Sequence, residues 1–126
     1  MTQDDMKILL KSQQGELDAV LMYRALADAV KNEHDAEAFR QLASEEGRHA
    51  KVFKELTSHT LKPKKTLAVA VPLFYKILGR KILYPVIAKF EYNAVNTYKP
   101  VAEKFPEVES VMNDEKRHGD IVNSLL

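Results

Sequence analysis

Apolar positions recur at helical spacing along most of the chain. Over residues 3–31, Ile8, Leu9, Leu17, Val20, Leu21, Leu26, Ala27 and Val30 recur at roughly helical spacing in a segment rich in strong helix formers. Polar residues from Asn32 to Asp35 then predict a turn, with Asp35 placed to cap a second helix over 35–58 that carries Ala38, Phe39, Leu42, Val52, Phe53 and Leu56. The stretch TSHTLKPKK, Thr57 to Lys65, reads as a connection broken by Pro63. A short apolar helix is expected over about 66–78, limited or kinked by Pro72, with Gly79 as punctuation. A third long helix is expected over 81–103, tolerating Pro85 in its first turns and bent or ended by Pro100. Pro106 opens a last helix to about 124, with Glu107 and Glu109 in the first turn, where the helix dipole favours them. Four long helices with no alternating strand signal predict an all-α bundle in one domain, 1–126, whose second and third helices are joined by a long, partly helical crossover at about 59–80.

Composition narrows the chemistry. No cysteine is present among 126 residues, which removes disulfides, thiolate catalysis and Cys-ligated zinc or iron–sulfur sites. The N-terminus MTQDDMKILL has neither a basic start nor an apolar core, so a signal peptide is not expected and the default location is cytoplasmic. A net charge of +1 gives no global field for nucleic acid, so no nucleic-acid partner is expected. Charge is nevertheless segregated. Between Leu56 and Phe90 stand Lys62, Lys64, Lys65, Lys76, Arg80, Lys81 and Lys89 and no acidic residue, while the rest of the chain carries 12 basic against 18 acidic side chains. Thr66–Phe90 is apolar but interrupted by Lys76, Gly79, Arg80 and Lys81, and its longest unbroken run falls far short of the ~20 residues that span a bilayer. It reads as a crossover packed on the bundle or a second subunit with its lysines reaching outward, or as a docking surface for an anionic partner or membrane.

An internal repeat carries the chemistry. Glu16 precedes Tyr23 by two helical turns, and Glu46-x-x-His49 follows on the next helix; Glu91, Tyr98 and Glu115-x-x-His118 repeat that grammar in the second half. Positions i and i+3 share a helix face, so Glu46 with His49 can grip one metal and Glu115 with His118 another, leaving Glu16 and Glu91 free to bridge. In an antiparallel hairpin, residues equidistant from the turn are level. The midpoints between 16 and 46 and between 91 and 115 fall at residues 31 and 103, where the chain independently breaks its helices. Six ligands, four carboxylates and two imidazoles, form the two-metal pattern of helical-bundle cores, and hard oxygen with imidazole suits iron or manganese. Glu45 and Asp114 lie four residues before each His and can substitute for their neighbours, although the i, i+3 choice matches the bundle pattern better. Tyr23 and Tyr98 are either core aromatics or donors that fix a ligand carboxylate. His34 and His59 read as surface residues, and Gly47, costly inside a helix, as a point of close helix approach.

These residues resemble the ferritin-like di-iron carboxylate superfamily, and within it the rubrerythrin family. The segment GELDAVLMYRALADAV…AFRQLASEEGRHAKVF is similar to a rubrerythrin's first hairpin, and Glu91, Tyr98, Glu115 and His118 match the second; only 59–80 lies outside the likeness. The resemblance implies a ferritin-like four-helix bundle whose two iron ions (or manganese) give electrons to hydrogen peroxide or dioxygen, an oxidoreductase of oxidative-stress defence. Peroxide-reducing rubrerythrins usually carry an extra Glu one turn after the third-helix ligand. Ala94 stands there, and the remaining six-ligand set is similar to the symmetric site of bacterioferritin-type proteins, so oxidase and ferroxidase chemistry join peroxidase chemistry as expectations. Without a rubredoxin module, electrons are expected from a separate donor protein. A homodimer is expected, and a ferritin cage is not, since no fifth helix follows Leu126. The alternative from another class is a non-catalytic module that sequesters or delivers iron, docking a partner or membrane surface through its basic crossover.

Overall fold

The computed structural model describes all residues, 1–126. It is wholly helical: α1 (Gln3–Ala29), α2 (Glu33–Thr57), α3 (Thr66–Leu78), α4 (Arg80–Ala102) and α5 (Pro106–Ser124). Helices α1 and α2 form one antiparallel hairpin and α4 and α5 another, with α1 facing α4 and α2 facing α5. Every element expected from the apolar pattern is present, and Pro72, Pro85 and Pro100 all sit inside helices. Pro100 does not stop α4 at once, because a proline ring obstructs the turn before it and leaves the next two residues free to finish the helix.

The ends are set by named side chains. Thr2 caps α1 reciprocally: its hydroxyl accepts from Asp5 N at 3.0 Å, and Asp5 accepts in turn from Thr2 N at 3.3 Å. At α2 the cap is Asn32, whose side-chain oxygen accepts from His34 N at 2.8 Å and Asp35 N at 3.3 Å. Asp35, expected as that cap, lies one turn in and buried instead. It accepts from the Tyr84 hydroxyl at 2.8 Å, with the Arg80 guanidinium 3.5 Å away, and so ties the start of α2 to the start of α4.

Two apolar clusters fill the bundle, one towards each end. The larger includes Tyr23, Leu26, Phe39, Leu42, Leu83, Tyr84, Ile87 and Val122; the smaller gathers Leu9, Phe53, Tyr98, Val101, Val108 and Val111. Phe39 stacks on Tyr23 with centroids 5.9 Å apart and meets Tyr84 edge-on at 5.2 Å, so aromatic rings close the layer between the clusters from one side. Gly47 does not serve close approach: a Cβ there would meet only Val20 Cγ2, at 3.9 Å. Gly119 does, since a Cβ there would lie 2.4 Å from the Tyr92 ring.

After α2 the chain turns at Ser58, in left-handed conformation (φ 57°), and runs extended along α1. Side chains of α1 hold it there. Gln13 Nε2 donates to His59 O at 2.8 Å, Gln14 Nε2 to Lys62 O at 2.9 Å, and Asp18 accepts from Lys64 N at 2.7 Å. Helix α3 then packs mainly on α1, burying Val71 and little else. No helix is long and apolar enough to cross a membrane.

Replacing Tyr84 with Phe leaves the buried Asp35 carboxylate without its shortest partner. We expect a loss of about 1–3 kcal/mol in a denaturant titration, with helix content retained.

Candidate metal centre

Between the two apolar clusters, six side chains reach into one layer: Glu16 from α1, Glu46 and His49 from α2, Glu91 from α4, and Glu115 and His118 from α5. All six are at most 6% exposed. Each presents one inward atom without a hydrogen-bond partner: Glu16 Oε2, Glu46 Oε1, His49 Nδ1, Glu91 Oε2, Glu115 Oε1 and His118 Nδ1. These are the six residues that the repeated spacing singled out.

The six fall into two overlapping groups, each with its donor atoms within 4.8 Å of one another: Glu16, Glu46, His49 and Glu115, and Glu46, Glu91, Glu115 and His118. Glu46 and Glu115 belong to both. Glu16 and Glu91, expected to be free to bridge, each belong to one group only. They stand at the two ends of the grouping, Glu16 in the first and Glu91 in the second.

Outer hydrogen bonds fix the direction of four of the six, Glu16, Glu91, His49 and His118. The Tyr23 hydroxyl donates to Glu91 Oε1, and the Tyr98 hydroxyl to Glu16 Oε1 at 2.6 Å. Each Tyr thus serves the carboxylate of the other hairpin, since α1 and α4 run antiparallel and place 23 level with 91 and 16 level with 98. Burial pushes both phenols well above their usual range, so they keep the proton they donate. The histidines are held the same way across α2 and α5. His49 Nε2 stands 2.7 Å from Asp114 Oδ2, and His118 Nε2 3.1 Å from Glu45 Oε1. With Nε2–H donated outward, Nδ1 faces the carboxylates, protonated in the metal-free cluster and able to offer its lone pair once the ring is neutral.

Glu45 and Asp114 are thus partners of the histidines, each reaching the His of the opposite hairpin, and do not stand in for Glu46 and Glu115. The sequence carries a signal for this role that the spacing argument passed over: an acidic residue precedes the motif Glu in both halves. Arg117, which pairs with Glu45 and lies 3.4 Å from Asp114, was not singled out at all. His34 and His59 are exposed and away from the layer, as expected.

The donor set fits divalent metal. Nδ1 of His49 stands 3.0 Å from Glu46 Oε1 and 3.0 Å from Glu115 Oε1, and Nδ1 of His118 3.1 Å from Glu46 Oε1. An octahedral ion with bonds of about 2.1 Å keeps neighbouring ligand atoms about 3 Å apart. Charge leads to the same result: four buried carboxylates with two neutral imidazoles need positive charge, which two divalent ions would balance. Without metal the cluster must take protons. Burial, then the neighbouring Glu46 charge, push Glu16 up to about 8, and burial with the Glu16 charge drives Glu115 well above the carboxylate range. His118 is raised to about 10, because Glu46 and Glu91 outweigh its burial. Glu45 behaves oppositely; burial pushes it up, but Arg117 and His118 together hold it at about 2.

Comparison with known proteins adds one finding: the family model named Rubrerythrin matches residues 7–126. The chain belongs to the rubrerythrin family. No curated protein and no solved structure gives a match. As a rubrerythrin-family chain it carries a buried carboxylate–histidine cluster able to hold a metal centre. Its expected extra-ligand position, Ala94, is half-buried and packs against the apolar cluster around Leu9, Phe53 and Tyr98.

The raised groups set a pH dependence for metal-free protein. Glu16 holds a proton in the folded state between 4.5 and about 8 that the unfolded chain has released, and His118 does so between 6.5 and about 10. Folded-state excess protons mean that stability falls as pH rises through both windows. Thermal melts in chelator should therefore weaken from pH 5 towards pH 10, and saturating Co(II) should raise Tm and flatten that slope.

Proposed function

We propose that this chain is a two-iron oxidoreductase that reduces hydrogen peroxide or dioxygen, or oxidises Fe(II), at the layer described above. The observation that carries this reading is the convergence of six orphaned donor atoms, from six residues on four helices, into two four-ligand groups sharing Glu46 and Glu115. Iron bound there would supply the electrons for oxidant reduction, and manganese accepts the same donors. Metal ligation by Glu16, Glu46, His49, Glu91, Glu115 and His118 is part of the proposal.

The chain's own residues supply the rest. Tyr23 and Tyr98 hold the end carboxylates against rotation, and Asp114 and Glu45 keep both imidazoles in the tautomer that offers Nδ1 inward. Apolar side chains at both ends of the layer, Phe39 and Leu42 on one side and Leu9 and Phe53 on the other, keep bulk water from the charged groups. Ala94 adds no seventh donor, which favours the symmetric six-ligand set and broadens the reaction beyond peroxide. Electrons would come from a separate donor protein.

A second reading is favoured by a different observation. Helices α3 and α4 expose Leu67, Val69, Leu73, Phe74, Ile77, Ile82, Val86 and Phe90 amid Lys64, Lys65, Lys76, Lys81 and Lys89. Such a face suits a contact with a second subunit, an anionic partner or a membrane surface, and fits an iron-sequestering or iron-delivering module.

Anaerobic loading with Fe(II) separates the two. The oxidoreductase reading expects two irons per chain and repeated turnover of H2O2 or O2 with an electron donor; iron release to an acceptor with one slow oxidation supports the module instead. Fewer than two irons with no consumption of either oxidant would sink the first reading. Glu46→Ala or Glu115→Ala should lower iron at both positions, whereas Glu16→Ala should leave about one iron per chain, as measured by metal analysis.

A further inference from the structure

The two halves of the layer correspond residue for residue until the outer shell reaches Arg117. Exchanging the halves sends Glu16 to Glu91, Tyr23 to Tyr98, Glu45 to Asp114 and His49 to His118, and the hydrogen bonds of each half reappear in the other. Arg117 corresponds to Arg48, yet Arg48 is exposed and forms no ion pair, while Arg117 reaches both outer carboxylates.

It reaches them unequally. Its Nη2 donates to Glu45 Oε1, the same oxygen that serves His118 Nε2 at 3.1 Å. On Asp114 it comes only within 3.4 Å of Oδ1, leaving the other oxygen, Oδ2, to His49 Nε2 at 2.7 Å. Gln41 draws further on Glu45, through Oε2 at 3.3 Å. The charge of Glu45 is therefore divided among a guanidinium, an amide and an imidazole, whereas the oxygen of the more exposed Asp114 that faces His49 has no other protein partner. An outer carboxylate raises the basicity of a ligating imidazole in proportion to the charge it offers, and such partners change metal affinity by about 10–100-fold.

Resting on the metal-binding reading above, we propose that Arg117 is a positioning residue that makes the two metal positions unequal, so that the position served by His49 and Glu16 fills before the one served by His118 and Glu91. The side chain is half exposed, at 49%, so this control is exerted from the surface on a buried layer. A site assembled from two matching halves thereby acquires an order.

The test is a titration of chelator-treated protein with Co(II), followed by NMR of 15N-labelled histidine. His34 and His59, both exposed, act as internal references. The first portion of Co(II) should shift and broaden the His49 ring signals ahead of those of His118, with about tenfold preference. Arg117→Gln should make the two rings respond together, while Arg117→Lys, which keeps the charge, and Arg48→Gln should preserve the order. Simultaneous response in the unaltered protein, His118 responding first, or an unchanged order in folded Arg117→Gln would overturn the proposal. Co(II) that perturbs neither ring would remove the metal-binding reading itself, a different failure.

Discussion

Four carboxylates and two imidazoles share one buried layer, and the rest of the structure answers to the electrostatic demand they create. Withdrawing a carboxylate from water costs about several kcal/mol even after relaxation, and here the inward atoms of four lie beside one another. Outer hydrogen bonds meet part of that cost. Glu16 and Glu91 each have one oxygen satisfied by a phenol, His49 and His118 each have one nitrogen held by a carboxylate, and the unpartnered atoms of all six residues lie together. The inward side calls for positive charge, which suits a cluster able to hold a metal centre and would be a poor way to hold a bundle together for its own sake.

The bundle geometry makes such a layer constructible. Two antiparallel hairpins related by approximate two-fold likeness present the same donor sequence from opposite directions, so a single Glu, a Tyr two turns on and a Glu-x-x-His suffice when used twice. The hydrogen bonds cross between hairpins: Tyr23 serves Glu91, Tyr98 serves Glu16, and each His is held from the other half. Neither hairpin could hold its own ligands in this way. Apolar clusters at both ends then isolate the layer, and Tyr23 and Tyr98 belong to these clusters while their hydroxyls reach the carboxylates.

Against this internal economy stands an outer face with no partner inside the chain. Helix α3 buries Val71 while leaving Val69 and Ile77 69% exposed, and Phe90 of α4 is 70% exposed. Its length is spent on running the chain back beside α1, where Gln13, Gln14 and Asp18 hold the strap that precedes it. A crossover that had only to connect would not need such apolar surface. Its apolar surface exceeds what the chain itself buries, and it lies apart from the buried layer.

Much of this was legible in the chain itself. Periodicity marked five helices, and the residues of the buried cluster could be named because i, i+3 spacing and equal distance from a turn are local rules that hold whatever the bundle does around them. Local rules stop at the helix surface. They could not say that Glu46 and Glu115, not Glu16 and Glu91, lie at the shared middle of the layer, because that depends on how α2 faces α5. Nor could they assign Glu45 and Asp114 to histidines of the opposite hairpin, move Asp35 from a cap to a buried tie on Tyr84, or find that Gly119 and not Gly47 lets side chains pack closely. Each of these is a contact between residues far apart in sequence, decided by the rotation and register of packed helices. The sequence by itself determined which six residues share the layer; only the tertiary structure decided which of them belong to both groups and which outer groups hold the others.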